Sequence, residues 1–235
     1  HIASAAVLYD AEAYWAGGKF MYADKPARYL TEHQLDYDIV PADYLEKAEI
    51  RGKTFVLAKE TYPALVVPYA EYLTEKTVSV IARLASAGVP VYFIDGMPRI
   101  AETGKIADIP QATVLALDAL ESALRGIGAA DVTVISANDA VRNLRFYHYT
   151  VGTTQYYMLT NEGIHDPVQA KIRLAAFGGG AYAVYDPMHN TAQRAVSEDG
   201  VISLDLPPYA STVLVFGDLP ATLADAKPSE ALVAS

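Results

Sequence analysis

The sequence predicts an α/β domain followed by an all-β sandwich, and three observations predict it. Between Tyr62 and Arg99, short apolar runs rich in β-branched residues flank a stretch whose apolar residues recur at helical spacing. That is the pattern of a strand, helix and strand in a parallel sheet buried on both faces. From Asp131 onward the period is two. The turn formers there, Asn161–Gly163, Gly178–Gly180, Asp186–Asn190, Asp199–Gly200 and Pro207–Pro208, cut short strands at regular intervals with no helical pattern between them.

Taken in order, Ala5–Tyr9 (AAVLY) is the first strand, and Asp10–Gly18 follows as a loop at its carboxyl end, where open α/β sheets place ligands. Pro26–Leu35 predicts the first helix, with Asp24 as its cap, and Asp38–Val40 a short second strand. Thr54–Ala58 and Glu60–Val67 predict a strand, a turn and a strand. In the central unit Ala64–Val67 ends at Pro68; then Val78, Ile81, Ala82, Leu84 and Ala85 share one helix face. Thr74 N-caps that helix, and Gly88 supplies the left-handed residue that stops it. Val89–Ile94 is the next strand, closed by Asp95 and Gly96, and the crossover between the two strands is right-handed. Ile100–Pro110 has no period and predicts a loop, while Val114–Leu124 predicts a helix ended by Gly126 and Gly128.

In the second half Leu144–Thr150 and Gln155–Thr160 flank VGTT as a β-hairpin, and Gln169–Ala175, Ala181–Tyr185, Thr191–Val196, Val201–Leu206 and Ser211–Phe216 continue the series. The domains are therefore 1–128 and 129–217, with 218–235, rich in Ala, Pro and Ser, as a linker or tail.

Composition removes several functions. The 235 residues carry a formal net charge of −10, which disfavours a nucleic-acid backbone or an anionic membrane surface as partner. No apolar run approaches the roughly 20 residues that span a bilayer, so the chain is expected to be soluble. With no cysteine there is no disulfide, thiolate metal site or Cys nucleophile, although the compartment, cytoplasmic or secreted, stays open. The five histidines are not spaced as metal ligands, no G-x-S-x-G elbow surrounds a serine, and Gly178–Gly180 lacks the Lys-Ser/Thr of a phosphate loop. No cofactor is expected. The opening HIASAAVLYD runs straight into a strand, which reads as a boundary within something longer.

The candidate chemistry lies at strand carboxyl ends. Asp10, Glu12, Tyr14 and Trp15 combine carboxylates with aromatic rings, the equipment for holding a sugar's hydroxyls and its C–H face. Glycosidases place two carboxyl groups about 5 to 10 Å apart, a separation that Asp10 and Glu12 could meet, as any two acids in one loop could. Glu71 follows the central strand, and Asp95 and Arg99 follow the next, so these could converge with Glu12 on one crevice; equally they could serve as caps and ion pairs.

At these residues a family likeness emerges. AAVLYDAEAYWA (Ala5–Ala16) resembles the opening of the glutamine-amidotransferase-like domain in bacterial β-galactosidases of glycoside hydrolase family forty-two. YPALVVPYAEYL (Tyr62–Leu73) is similar to a segment shared by that domain and its equivalent in rhamnosidase-like enzymes of family one hundred and six. LRFYHYTVGTTQYYMLTNE (Leu144–Glu162), YAVYDP (Tyr182–Pro187) and GVISLDLPPYASTVLVF (Gly200–Phe216) resemble later strands of such multidomain enzymes. The resemblance implies a flavodoxin-like, class I amidotransferase-like first domain that is itself inactive, its elbow lacking Cys. It also implies that the catalytic acids stand on a (β/α)₈ barrel that no segment here supplies.

The chain is thus expected to be a non-catalytic accessory piece of a larger glycoside hydrolase. Its partners would be the catalytic barrel of the same parent chain, a carbohydrate at its rim loops, and further copies in a homo-oligomer. The alternative is a carbohydrate-binding module that uses Tyr147, Tyr149, Tyr156 and Tyr157 as a stacking platform, unless one of these pairs faces the core.

Overall fold

A computed structural model describes residues 1–219 and 224–225. The chain forms two compact units, Ile2–Asp131 and the residues from Val132 onward together with His1.

The first unit runs β1 (Ala5–Tyr9), α1 (Ala11–Trp15), α2 (Asp24–Glu32), β2 (Tyr37–Pro41), α3 (Ala42–Leu45), β3 (Glu49–Arg51), β4 (Thr54–Leu57), β5 (Glu60–Tyr62), β6 (Leu65–Val67), β7 (Tyr72–Leu73), α4 (Glu75–Ser86), β8 (Val91–Ile94), β9 (Arg99–Ile100), β10 (Thr113–Leu115) and α5 (Leu120–Gly126). Five strands pair in parallel in the order β10-β8-β6-β1-β2. Chain order therefore reverses at β1, and a crevice opens between β1 and β6 at their carboxyl ends.

Strand alternation divides the core in two. Ala6, Leu8, Leu65, Val67, Val91 and Phe93 pack with Val78, Ile81 and Leu84 of α4. Ala5, Val7, Val66 and Ile94 face the other way, toward Leu30 of α2 and Leu120 and Leu124 of α5. Both faces are covered, which is why these strands are apolar without interruption.

Local chemistry explains the helices. Thr74 Oγ1 accepts from Thr77 N at 3.2 Å to cap α4, and Gly88 at φ +87° follows its end. Asp10–Gly18 is not a plain loop: Asp10 Oδ1 accepts from the N–H groups of Glu12 and Ala13 at 2.9 and 3.2 Å and caps the single turn of α1. Helix α2 begins earlier than its proline suggests, with Asp24 inside the first turn and Ala23, without a side-chain cap bond, at the N-cap. Pro26 is tolerated because first-turn N–H groups have no helical partner.

The helix expected over Val114–Leu124 is instead an edge strand, β10, a short 3₁₀ turn at Leu117–Ala119, and α5. Pairing of Thr113–Leu115 with Tyr92–Ile94 overrides the helical spacing. Ile100, expected to open a loop, instead forms a short strand with Arg99 that pairs with Tyr72–Leu73.

The second unit contains β11 (Val132–Ala137), β12 (Leu144–Val151), β13 (Thr154–Asn161), β14 (Val168–Leu174), β15 (Gly180–Asp186), β16 (Thr191–Ser197), β17 (Val201–Leu206) and β18 (Ser211–Phe216). One sheet is β11-β14-β17. A second runs β12-β13-β18-β15-β16 and ends in Ala224–Asp225, which pairs parallel with β16. The tail expected over 218–235 otherwise falls almost entirely outside the described residues. Val132, Ile172, Ile202 and Leu204 from the first sheet and Leu144, Tyr157, Leu159, Leu214 and Phe216 from the second fill one core.

Candidate functional site

Two clefts open at the carboxyl edge of the parallel sheet, and the segment after β1 divides them. Its route is fixed by a short ladder: Glu71 N donates to Lys19 O and Met21 N to Tyr69 O, both at 2.7 Å, with Phe20 bridging Ala70. Glu71 then uses its carboxylate on the same partner, Oε2 accepting from Lys19 N at 2.9 Å. The strands can approach this closely because position 18 is glycine. At φ +80°, a Cβ there would lie 2.8 Å from Glu71 Oε2 and 3.1 Å from the Tyr72 ring.

The larger cleft, about 750 Å³, is lined by this ladder, by α2, and by the residues that follow β6, β8 and β10. Tyr69 forms part of its wall, and a methyl group at Gly96 would lie 3.3 Å from Tyr69 Cε2, so the ring sits directly against the Gly96 backbone. Asp95 reaches the cleft from the end of β8 in a left-handed conformation, φ +62°, its N–H bonded to Leu115 O at 2.9 Å. A non-glycine residue held there is uncommon.

The smaller cleft, about 370 Å³, lies on the other side of α1 and is lined by Glu12, Trp15, Asp43, Glu46 and Lys76, among others. Trp15, the chain's single tryptophan, is 81% exposed beside it. Lys76 Nζ pairs with Glu46 Oε1 at 2.7 Å, and this contact raises the lysine pKa.

The six sequence candidates therefore do not converge. Glu12 and Trp15 share the smaller cleft, and Asp95 lines the larger. Tyr14 is packed among Tyr9, Phe20 and Tyr22 with centroids 4.5 to 5.7 Å apart, and burial raises its pKa. Glu71 is the tether just described, and Arg99 donates to Gly104 O at 3.0 Å. Asp10 serves the fold as well: beyond capping α1, its Oδ2 accepts from Thr77 Oγ1 at 3.2 Å. Tyr69, Lys19, Lys25 and Arg28, which line the larger cleft, have no motif around them. Only the clustering of Lys19, Phe20, Met21 and Tyr22 after α1 and Gly17–Gly18 marks the region in sequence.

The tyrosines of the second unit separate by strand alternation. Tyr157 is fully buried, stacked on His148 at 3.8 Å. Tyr147, Tyr149 and Tyr156 lie on the outer face, where Tyr149 stacks on Tyr156 and is tilted against Tyr147. Tyr149 and Tyr156 are 4.8 Å apart and 5° from parallel, Tyr149 is 6.1 Å from Tyr147, and His1 stacks on Tyr147 at 4.7 Å. Among the described residues no group of three His, Cys, Asp or Glu could hold a metal ion, and no helix is long and apolar enough to cross a membrane.

No family model and no curated protein matches the sequence. Solved structures do match. The fold recurs inside glycoside hydrolases. A rhamnosidase from Novosphingobium sp. PP1Y superposes with TM-score 0.70 at 17% identity, over 97% of this chain but 24% of its own. An exo-carrageenase of GH42 from Bacteroides ovatus gives 0.59 at 12% identity, over 89% and 28%. An α-L-fucosidase isoenzyme from Paenibacillus thiaminolyticus gives 0.55 at 12% identity, over 91% and 48%. The chain thus spans between about a quarter and a half of the length of these enzymes.

Proposed function

We propose that this chain is a non-catalytic accessory portion of a glycoside hydrolase, a flavodoxin-like, amidotransferase-like domain joined to a β-sandwich. In this reading it braces a catalytic barrel elsewhere in the parent chain, presents the Glu12 and Trp15 face to the rim of that barrel's site, and supplies contacts between subunits. The observation that carries the proposal is that one fold, nearly the whole of this chain, recurs as a part of enzymes named for different sugars. That fold makes up only about a quarter to a half of each of those chains, which leaves room for a catalytic domain elsewhere in them. The strand order, second-first-third-fourth-fifth in the parallel sheet, supports the flavodoxin-like description.

The local chemistry agrees. Of the acids nearest Trp15, Asp10 is committed to capping α1 and to Thr77, which removes the Asp10 and Glu12 pair as an acid and nucleophile. A large aromatic surface left 81% exposed is what a rim or interface residue requires. The carbohydrate-binding alternative has less support, because one face of Tyr149 and one face of Tyr156 are covered by each other and Tyr157 is buried. The test is turnover: the purified chain is expected to leave aryl galactosides, rhamnosides and fucosides intact. Hydrolysis by the chain that disappears in Glu12→Gln or Glu71→Gln would overturn the proposal.

A further inference from the structure

We propose that the larger cleft, between the ladder at Lys19–Met21 and the ends of β6 and β8, binds a neutral pyranose residue, with the Asp95 carboxylate as its central hydrogen-bond acceptor. The saccharide class rests on the glycoside hydrolase reading above; the existence of a site rests on the cleft itself. Its volume, about 750 Å³, is that of a small-ligand pocket, and it lies where a parallel sheet reverses its strand order.

Its chemistry is balanced. Lys19, Lys25 and Arg28 offer donors, and Asp24, Glu32 and Asp95 offer acceptors. Among the described residues none of these six side chains makes an ion pair or a side-chain hydrogen bond, although Asp24, Arg28 and Glu32 follow one another at i,i+4 spacing on α2. An anion would meet three carboxylates and a cation three positive groups. A sugar hydroxyl donates and accepts together and uses both kinds of group. Tyr22 and Tyr69 add aromatic surface for the C–H face of a ring, and the missing side chain at Gly96 leaves room for the Tyr69 ring.

Asp95 gives the strongest argument. Its backbone is in a conformation that glycine or asparagine adopts with less or equal strain, yet its carboxylate makes no bond that would justify the residue structurally. Strained backbone clusters at ligand sites, and Asp95 is the left-handed residue that lines this cleft.

The experiment is a titration of the full chain with methyl galactoside, rhamnose and galacturonate, followed by amide chemical shifts. Saturable shifts are expected at millimolar neutral sugar, centred on Tyr69, Asp95 and Gly96. Asp95→Asn should weaken binding by about tenfold, the loss of a charged acceptor. Asp95→Gly, which removes the acceptor altogether, should bind at least as poorly while melting at a higher temperature. No saturable shift with either neutral sugar, tighter binding of galacturonate, unchanged affinity in Asp95→Asn, or shifts centred on Trp15 would each overturn the assignment. Turnover of aryl glycosides, by contrast, bears on the accessory role and leaves this readout untouched.

Discussion

Asn161, at the end of β13, holds three separate segments of the second unit with one fully buried amide. Its Nδ2 donates to Asp166 O at 3.0 Å and to Leu206 O at 2.9 Å, while its Oδ1 accepts from Gly163 N at 2.8 Å. Asn161→Ala deletes all three bonds, taking the amide partner from two carbonyls and an N–H. At about 1 kcal/mol for each net hydrogen bond the cost is about 3 kcal/mol, and incomplete solvation of the orphaned groups adds to it. For a unit of this size that is a fall in melting temperature of about 12 to 20 °C.

Asn161→Asp is the sharper variant because its shape is preserved. It keeps the bond from Gly163 but turns a carboxylate oxygen toward two carbonyls. Burial and those carbonyls raise the carboxyl pKa in the folded state above its unfolded value. The sign follows: the variant's stability is best preserved below the unfolded pKa, where the folded carboxyl can donate once, and is lost as pH rises through the folded pKa. Calorimetric melts of the native protein and both variants between pH 4 and 7 test this. An Asn161→Ala penalty below about 1 kcal/mol, or an Asn161→Asp penalty independent of pH, would show that the amide does not organise this corner.

Three further outcomes are expected. Asp10→Ala should lower the stability of the first unit by about 1 to 2 kcal/mol through loss of the α1 cap, measured by urea denaturation, because that carboxylate works for the fold. Gly18→Ala should be destabilising by about 1 to 2 kcal/mol, since it meets Glu71 Oε2 at a positive φ, and Glu71→Ala in the same chain should relieve that contact but neither the one with the Tyr72 ring nor the backbone strain; equal melting points for the native chain and Gly18→Ala would contradict this. Asp186, held below the usual carboxylate range first by its bond to His189 and then by backbone N–H groups, contributes to the β15–β16 turn above its unfolded pKa, a contribution lost as pH falls through its lower folded value. A carboxyl titration followed by NMR should show that depressed midpoint, and it should return toward normal in His189→Ala.

Much of this architecture is legible in local patterns. The Thr74 cap, the Gly88 stop and the apolar stripe of α4 act within a few residues of one another, so the residues alone determine them. The hairpin of β12 and β13 is equally local, its register running from Leu144 opposite Asn161 to Val151 opposite Thr154. Strand β10 was not legible: three residues spaced like a helix became an edge strand only because β8 offered unpaired backbone groups beside them. The division of the tyrosines depended likewise on which face of β13 met the core, a choice the period permits but does not make.

The candidate site divides in the same way. Composition and the residues at strand ends fixed that acids and aromatics would gather at the carboxyl edge of the sheet, because that edge follows from the βαβ pattern itself. Only the tertiary structure decided which of them are available. The ladder between Lys19–Met21 and Tyr69–Glu71 consumes Glu71, the α1 cap consumes Asp10, and the left-handed turn after β8 delivers Asp95 into open space beside Tyr69. Those outcomes rest on contacts between residues up to 67 positions apart, whose partners no local pattern specifies.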